Sequence, residues 1–163
     1  MGVFYSPTAV IADTDVLVGL SENEVKAGLA EVVKCGFISD PVILDLIEAN
    51  PADSIDTASE VFVDLVRRAI SVKAAVVSDD FREKGQREIL NYGHTLGHAI
   101  EHAERYQWRH GVAISIGMVF AAELSRIVAN LGDTDVARHR SILGQLGLPL
   151  EYPQGRWRTL LAT

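Results

Sequence analysis

A single cysteine in 163 residues excludes an internal disulfide, so nothing covalent holds this fold together. Cys35 lies between Lys34 and Gly36 inside a helical pattern. A small buried apolar role is expected of it, and redox chemistry is unsupported. Basic charge is also in deficit. A net charge of -7 argues against a nucleic-acid partner or an anionic membrane surface, both of which need a surplus of Lys and Arg on one face. The longest apolar run, Val112 to Ala122, is interrupted by Ser115 and Gly117 and falls short of the roughly 20 residues that cross a bilayer. No signal pattern opens the chain, and a cytoplasmic protein is expected. Glycine-rich phosphate loops and the G-x-G-x-x-G fingerprint are both missing, so no dinucleotide-binding half is expected here. Repeats and low-complexity segments are absent too.

What is present is the profile of one globular domain, with 48% apolar and 23% charged residues and little proline. The fold class predicted is all-α, a helical bundle. Ser21 with Glu24 reads as a capping box opening a helix to about Phe37. Asp40-Pro41 opens a second, stopped at Asn50 by Pro51. A third is expected from a cap at Asp53, Ser54 or Asp56 to about Ser78, with Lys73 near its end. After a charged loop from Asp79 to Gln86 comes a short turn at Glu88 to Asn91, and Gly93 permits an abrupt start to a histidine-bearing helix. A mostly apolar helix from about Gly111 to Asn130 reads as buried in the bundle centre. Asp133 or Thr134 caps one more, ended by Gly147-Leu148-Pro149. Ala9 to Ala12 is the one strand-like stretch.

Four of the five histidines fall between Asn91 and His110. His94 and His98 are one helical turn apart, so both imidazoles can face one cavity for metal binding or proton transfer. The same spacing also suits two ordinary surface histidines. Glu31 is a carboxylate in the apolar stretch Leu29-Ala30-Glu31-Val32-Val33, which demands a partner, either a metal or a cation such as Lys34. His102 reads as a solvated residue near a helix end. His110 stands before Gly111, where a side chain can face a cavity. His139, between Arg138 and Arg140, reads as surface. Lys34, Lys73 and Arg87 could form a local basic pocket for a small anion if they converge.

Four segments carry a resemblance. AGLAEVVKCGFISDP (Ala27 to Pro41), SVKAAVVSDD (Ser71 to Asp80), REILNYGHTLGHAIEH (Arg87 to His102) and RHGVAISIGMVFAAELS (Arg109 to Ser125) are similar, in order and spacing, to the helical C-terminal domain of the 3-dehydroquinate synthase family of sugar-phosphate cyclases. The likeness runs from about Phe4 onward. It implies a lead-in segment at 1–20 and a helical metal- and substrate-binding domain at 21–163, truncated at its C-terminal end. The family's N-terminal Rossmann-like domain is lacking.

The resemblance, rather than spacing, implies roles. Metal, Zn2+ or Co2+, is held by Glu31, His94 and His110. His98, Lys34 and Lys73 are the implied catalytic groups, and Lys34, Lys73, Arg87, Asn91 and His98 contact an anionic sugar-phosphate substrate. Leu20 and Glu24 match positions that touch NAD. The implied reaction turns 3-deoxy-arabino-heptulosonate 7-phosphate into 3-dehydroquinate and phosphate, a step of the shikimate route to aromatic compounds, with NAD used and regenerated in each turnover. The chain alone is expected to be inactive without its NAD-binding partner domain, and the full-length enzyme is expected to be a homodimer. The pattern departs at Val112, Phe81 and Gly19, where the family has Glu, Glu and Thr. A cyclitol synthase and a non-catalytic metal-binding or interaction module are the other readings.

Overall fold

The computed structural model of the protein describes residues 7–80 and 85–161. Among these residues every regular element is helical: α1 (Glu22–Ile38), α2 (Val42–Ala49), α3 (Glu60–Asp79), α4 (His94–Ala103), α5 (His110–Ala129), α6 (Asp133–Gln145) and α7 (Trp157–Leu161), with 3-10 turns at Thr14–Gly19 and Gln86–Asn91. The all-α expectation holds. One core joins α1, α2, α3, α5 and α6 through Leu29, Val33, Ile43, Ile47, Leu65, Ile114, Met118, Ile142 and Leu143. Each such side chain contributes roughly 1.5–3 kcal/mol by leaving water. Cys35 belongs to this core, as expected, and burial pushes its thiol up from the ordinary value.

The helix α5 is the axis, packed against α1, α4 and α6. Two glycines set its distance from its neighbours. A methyl group at Gly111 would lie 1.8 Å from the Ala27 carbonyl oxygen of α1, and one at Gly117 would lie 1.9 Å from the Gly93 carbonyl oxygen. No side chain fits either place, so α5 touches α1 and the start of α4 at backbone distance. His110 adjoins Gly111, His94 adjoins Gly93, and Glu31 lies one turn beyond Ala27 on the same face of α1. The close approaches that define the fold thus bring these three side chains together.

Several expectations are corrected. The reciprocal capping box at Ser21 does not form; Glu24 pairs with Arg109 at the start of α5 instead. α3 starts at Glu60 with Ser59 as its cap, the serine Oγ accepting from the Phe62 N–H at 2.9 Å. Two of the upstream candidates are engaged in turns, where Asp56 accepts from the Ala58 N–H and Ser54 donates to the Asn50 carbonyl. Gly132, rather than Asp133 or Thr134, precedes α6. Ala9 to Ala12 makes no strand; Val10 and Ile11 are exposed with no neighbouring strand among the described residues. Only part of α5 is enclosed. Gly111 and the stretch from Ala113 to Val119 are buried, while Phe120, Leu124, Ile127 and Val128 face outward. As folded, α5 does reach the length and apolar composition of a membrane-crossing helix, although its first half is the core of this bundle. His139 is 4% exposed, not on the surface. Residues 1–6 of the lead-in segment, and residues 81–84 of the charged loop with Phe81 among them, lie outside the described residues.

Candidate metal and anion site

A single carboxylate organises the site. Glu31 Oε2 accepts a 2.6 Å hydrogen bond from Lys34 Nζ, whose side chain is 5% exposed. A buried ammonium requires such a partner, so the salt-bridge reading of Glu31 is correct for one oxygen. The other oxygen, Oε1, is buried without any hydrogen-bond partner. It lies 3.6 Å from His94 Nε2 and 3.6 Å from His110 Nε2. Four-coordinate zinc with bonds of roughly 2.0–2.1 Å separates its ligand atoms by about 3.3 Å. The donor atoms of Glu31, His94 and His110 all lie within 4.8 Å of one another, so this orphaned oxygen and two imidazoles fit a divalent ion with room for a further ligand.

Both imidazoles are held from behind. His94 Nδ1 donates to the Tyr92 carbonyl at 3.2 Å, which leaves Nε2 as the lone pair facing Glu31. Burial pushes His94 below its ordinary value, against the opposing pull of the Tyr92 carbonyl and assisted by the Lys34 charge. The neutral form is the one that ligates metal. His110 Nδ1 lies 3.1 Å from Glu101 Oε1. Gly93, with φ of 80°, makes the turn from the 3-10 segment into α4 that points His94 inward.

A cleft of about 470 Å³ adjoins the cluster and is lined by Leu20, Glu24, Glu31, Lys34, Lys73, Arg87 and Asn91, among others. The three cations expected to converge therefore do share one cavity. Lys34 comes from α1, Lys73 from α3, and Arg87 with Asn91 from the 3-10 turn. That turn is fastened by Asp80, whose Oδ2 accepts the Gly85 N–H at 2.9 Å and the Arg87 N–H at 3.2 Å. His98 is exposed beside the cluster, with its ring 5.2 Å from that of His94 and 6.0 Å from that of His110. It belongs to a second group, with Glu101 and His110, that is separate from the Glu31 oxygen. His102 is exposed against Tyr106, as expected.

Sequence reasoning missed three supporting residues: Tyr92, Glu101 and His139. The Tyr92 hydroxyl lies 2.9 Å from His139 Nε2, and His139 Nδ1 donates to the Asp135 carbonyl at 2.7 Å, so Nε2 accepts from the tyrosine. Burial pushes Tyr92 up to about 12, which keeps its hydroxyl a donor. The imidazole stacks on Phe37 with ring centroids 3.5 Å apart. Only Glu101 left a readable signal, being seven residues after His94 on the same helical face.

The family model described as 3-dehydroquinate synthase C-terminal matches residues 28–163. The chain belongs to the 3-dehydroquinate synthase family. It is 60% identical over 161 residues to the 3-dehydroquinate synthase of Paenarthrobacter aurescens (strain TC1), a match covering 99% of this chain and 44% of that protein. The chain thus spans less than half the length of the curated relatives it matches. A solved 2-deoxy-scyllo-inosose synthase, complexed with carbaglucose-6-phosphate, NAD+ and Co2+, superposes with a TM-score of 0.77 at 29% identity, over 99% of this chain and 44% of that one. The fold alone is shared with 2-epi-5-epi-valiolone synthase from Streptomyces hygroscopicus subsp. jinggangensis 5008, with NAD+ and Zn2+ bound, at a TM-score of 0.83 and 23% identity over 92% of this chain and 42% of that one.

Proposed function

We propose that the chain is the metal- and substrate-binding half of a 3-dehydroquinate synthase, with residues 1–20 as its lead-in and 21–163 as the working domain. The observation that carries this reading is the buried, unpartnered Glu31 Oε1 facing two imidazoles at the edge of a cation-lined cleft. Glu31, His94 and His110 hold Zn2+ or Co2+. When bound, the ion acts as a Lewis acid that polarises a substrate hydroxyl.

The protein's own part is positioning and charge. Lys34 fixes Glu31 and, with Lys73 and Arg87, offers charge-assisted hydrogen bonds to the carboxylate and phosphate of 3-deoxy-arabino-heptulosonate 7-phosphate, each about twice as strong as a neutral one. Asn91 offers its amide to substrate hydroxyls. His98, exposed next to the two ligating imidazoles, exchanges protons with substrate and solvent. Leu20 and Glu24 form one wall of the cleft toward NAD, whose phosphates need a site this sequence does not contain. The partner is accordingly an NAD-binding domain, the full-length assembly is a homodimer, and the activity is cytoplasmic. The 60% identity to 3-dehydroquinate synthases favours this substrate over those of the cyclitol synthases, related at 29%.

The test is zinc titration of the chain followed by phosphate release from the heptulosonate phosphate, with and without a separately supplied NAD-binding domain. Stoichiometric zinc and activity only on complementation support the reading. A chain that binds no zinc and gains no activity contradicts it.

A further inference from the structure

We infer that Glu101 is the positioning residue for His110. The inference rests on the metal reading of Glu31, His94 and His110 for its consequence but not for its geometry. The two imidazoles of that cluster are held very differently. The His94 side chain is 12% exposed and is tied to a backbone carbonyl that the Gly93 turn fixes in place. The His110 side chain is 44% exposed at the first position of α5. Being at a helix start, it has no preceding turn to pack upon.

Glu101 supplies the missing restraint. Its side chain is 13% exposed and its Oε1 lies 3.1 Å from His110 Nδ1. An ionised carboxylate only accepts, so Nδ1 carries the proton and donates. Nε2 is then left as the lone pair, and it is Nε2 that faces Glu31 Oε1. The contact therefore selects both the tautomer and the ring orientation that metal binding needs, the outer-shell arrangement that ligating histidines generally use.

Two further observations favour this role. Glu101 sits in the last turn of α4, where the helix dipole disfavours an anion, so local helix energetics do not account for it. His98, Glu101 and His110 also lie close enough to form a metal group by themselves. Yet the Glu101 oxygen in that group already has a hydrogen-bond partner, whereas Glu31 Oε1 has none. The unpartnered oxygen marks the ligand and the partnered one marks the support. A competing role is simple charge complementarity between Glu101 and the positive end of α5, which would affect stability but not the tautomer.

The experiment uses the full chain as wild type, Glu101→Gln, Glu101→Ala and, as a ligand control, His110→Ala. The 15N shifts of the His110 ring are recorded without metal, at a pH where the imidazole is neutral. Zinc affinity is measured by competition with a chelator, and thermal midpoints are recorded alongside. The wild type is expected to show the Nδ1–H tautomer. Glu101→Ala should mix the tautomers and weaken zinc roughly 10–100-fold with little change in midpoint. Glu101→Gln, whose amide oxygen still accepts from Nδ1, should recover most of both. Unchanged tautomer and affinity in Glu101→Ala overturn the inference, as does a loss of affinity that follows the thermal midpoint and that Gln does not restore. If no variant binds zinc, the metal reading fails, and the tautomer measurement still decides the role of Glu101.

Discussion

The first half of α5 runs from His110 through buried Gly111, Ile114, Gly117 and Met118, wedged against α1 and α4. Its second half carries Phe120, Leu124, Ile127 and Val128, which are 51%, 45%, 70% and 70% exposed. Both halves are apolar, so hydrophobicity by itself does not create the site. What distinguishes the first half is backbone contact through glycine, which sets where His110 and His94 stand relative to Glu31. The second half seats Ala122 in the bundle and pairs Glu123 with Arg140 of α6, but places no side chain beside the Glu31 oxygen. A side chain added to the first half therefore moves a proposed metal ligand, whereas one removed from the second half moves none.

The largest effect expected from breaking this contrast is at Gly111. Its Cβ position lies 1.8 Å from the Ala27 oxygen, so Gly111→Val must push α5 off α1, at about 3 kcal/mol or more. Urea denaturation should show that loss, and zinc titration should show binding abolished. Next comes His110→Ala, which removes one of the three proposed protein ligands. Zinc affinity should fall by more than the roughly 10–100-fold typical of losing an outer-shell partner. His98→Ala, on the same rim, should leave zinc affinity within about twofold of wild type, since His98 lies outside the Glu31 group.

A smaller, pH-dependent effect follows from the buried histidines. Burial pushes His139 below its ordinary value of 6.5, and His94 likewise, so the unfolded chain takes up protons more readily than the folded one. Metal-free stability should be level above pH 6.5 on this account and decline as pH falls below it. Each group contributes a slope of at most about 1.4 kcal/mol per pH unit. His139→Gln should flatten that decline in urea midpoints measured across the range. The smallest effect belongs to the outer half of α5. Leu124→Ser or Ile127→Ser should change stability by no more than about 0.5 kcal/mol and leave zinc affinity alone; a larger change in either would erase the distinction between the two halves.

Helical periodicity was enough to read most of the bundle, because amphipathic repeats and Pro41, Pro51 and Gly147 mark helix limits directly. It failed where tertiary partners decide. His139 between two arginines reads as surface, yet successive helix residues point about 100° apart. Arg138 reaches Asp45 and Glu48, Arg140 reaches Glu123, and His139 turns inward between them onto Phe37. The start of α3 escapes the sequence because Ser54 and Asp56 have cap chemistry but spend it on local turns, and Ser59 caps the helix instead. At the site, spacing suggested His94 with His98, and only the family resemblance pointed to Glu31 with His94 and His110. Residues so far apart in the chain meet through glycine contacts that carry no periodic signal. Glu101 was legible as a helical neighbour of His94, but its partner lies on the next helix.

The most direct test of the central claim is X-ray absorption at the zinc edge of the metal-loaded chain, in the wild type and in His98→Ala. The account predicts two imidazole nitrogens and one carboxylate oxygen at roughly 2.0–2.1 Å, unchanged by the substitution. Three imidazoles in the wild type, or a spectrum that loses one when His98 is removed, would mean that the ligand set is not Glu31, His94 and His110.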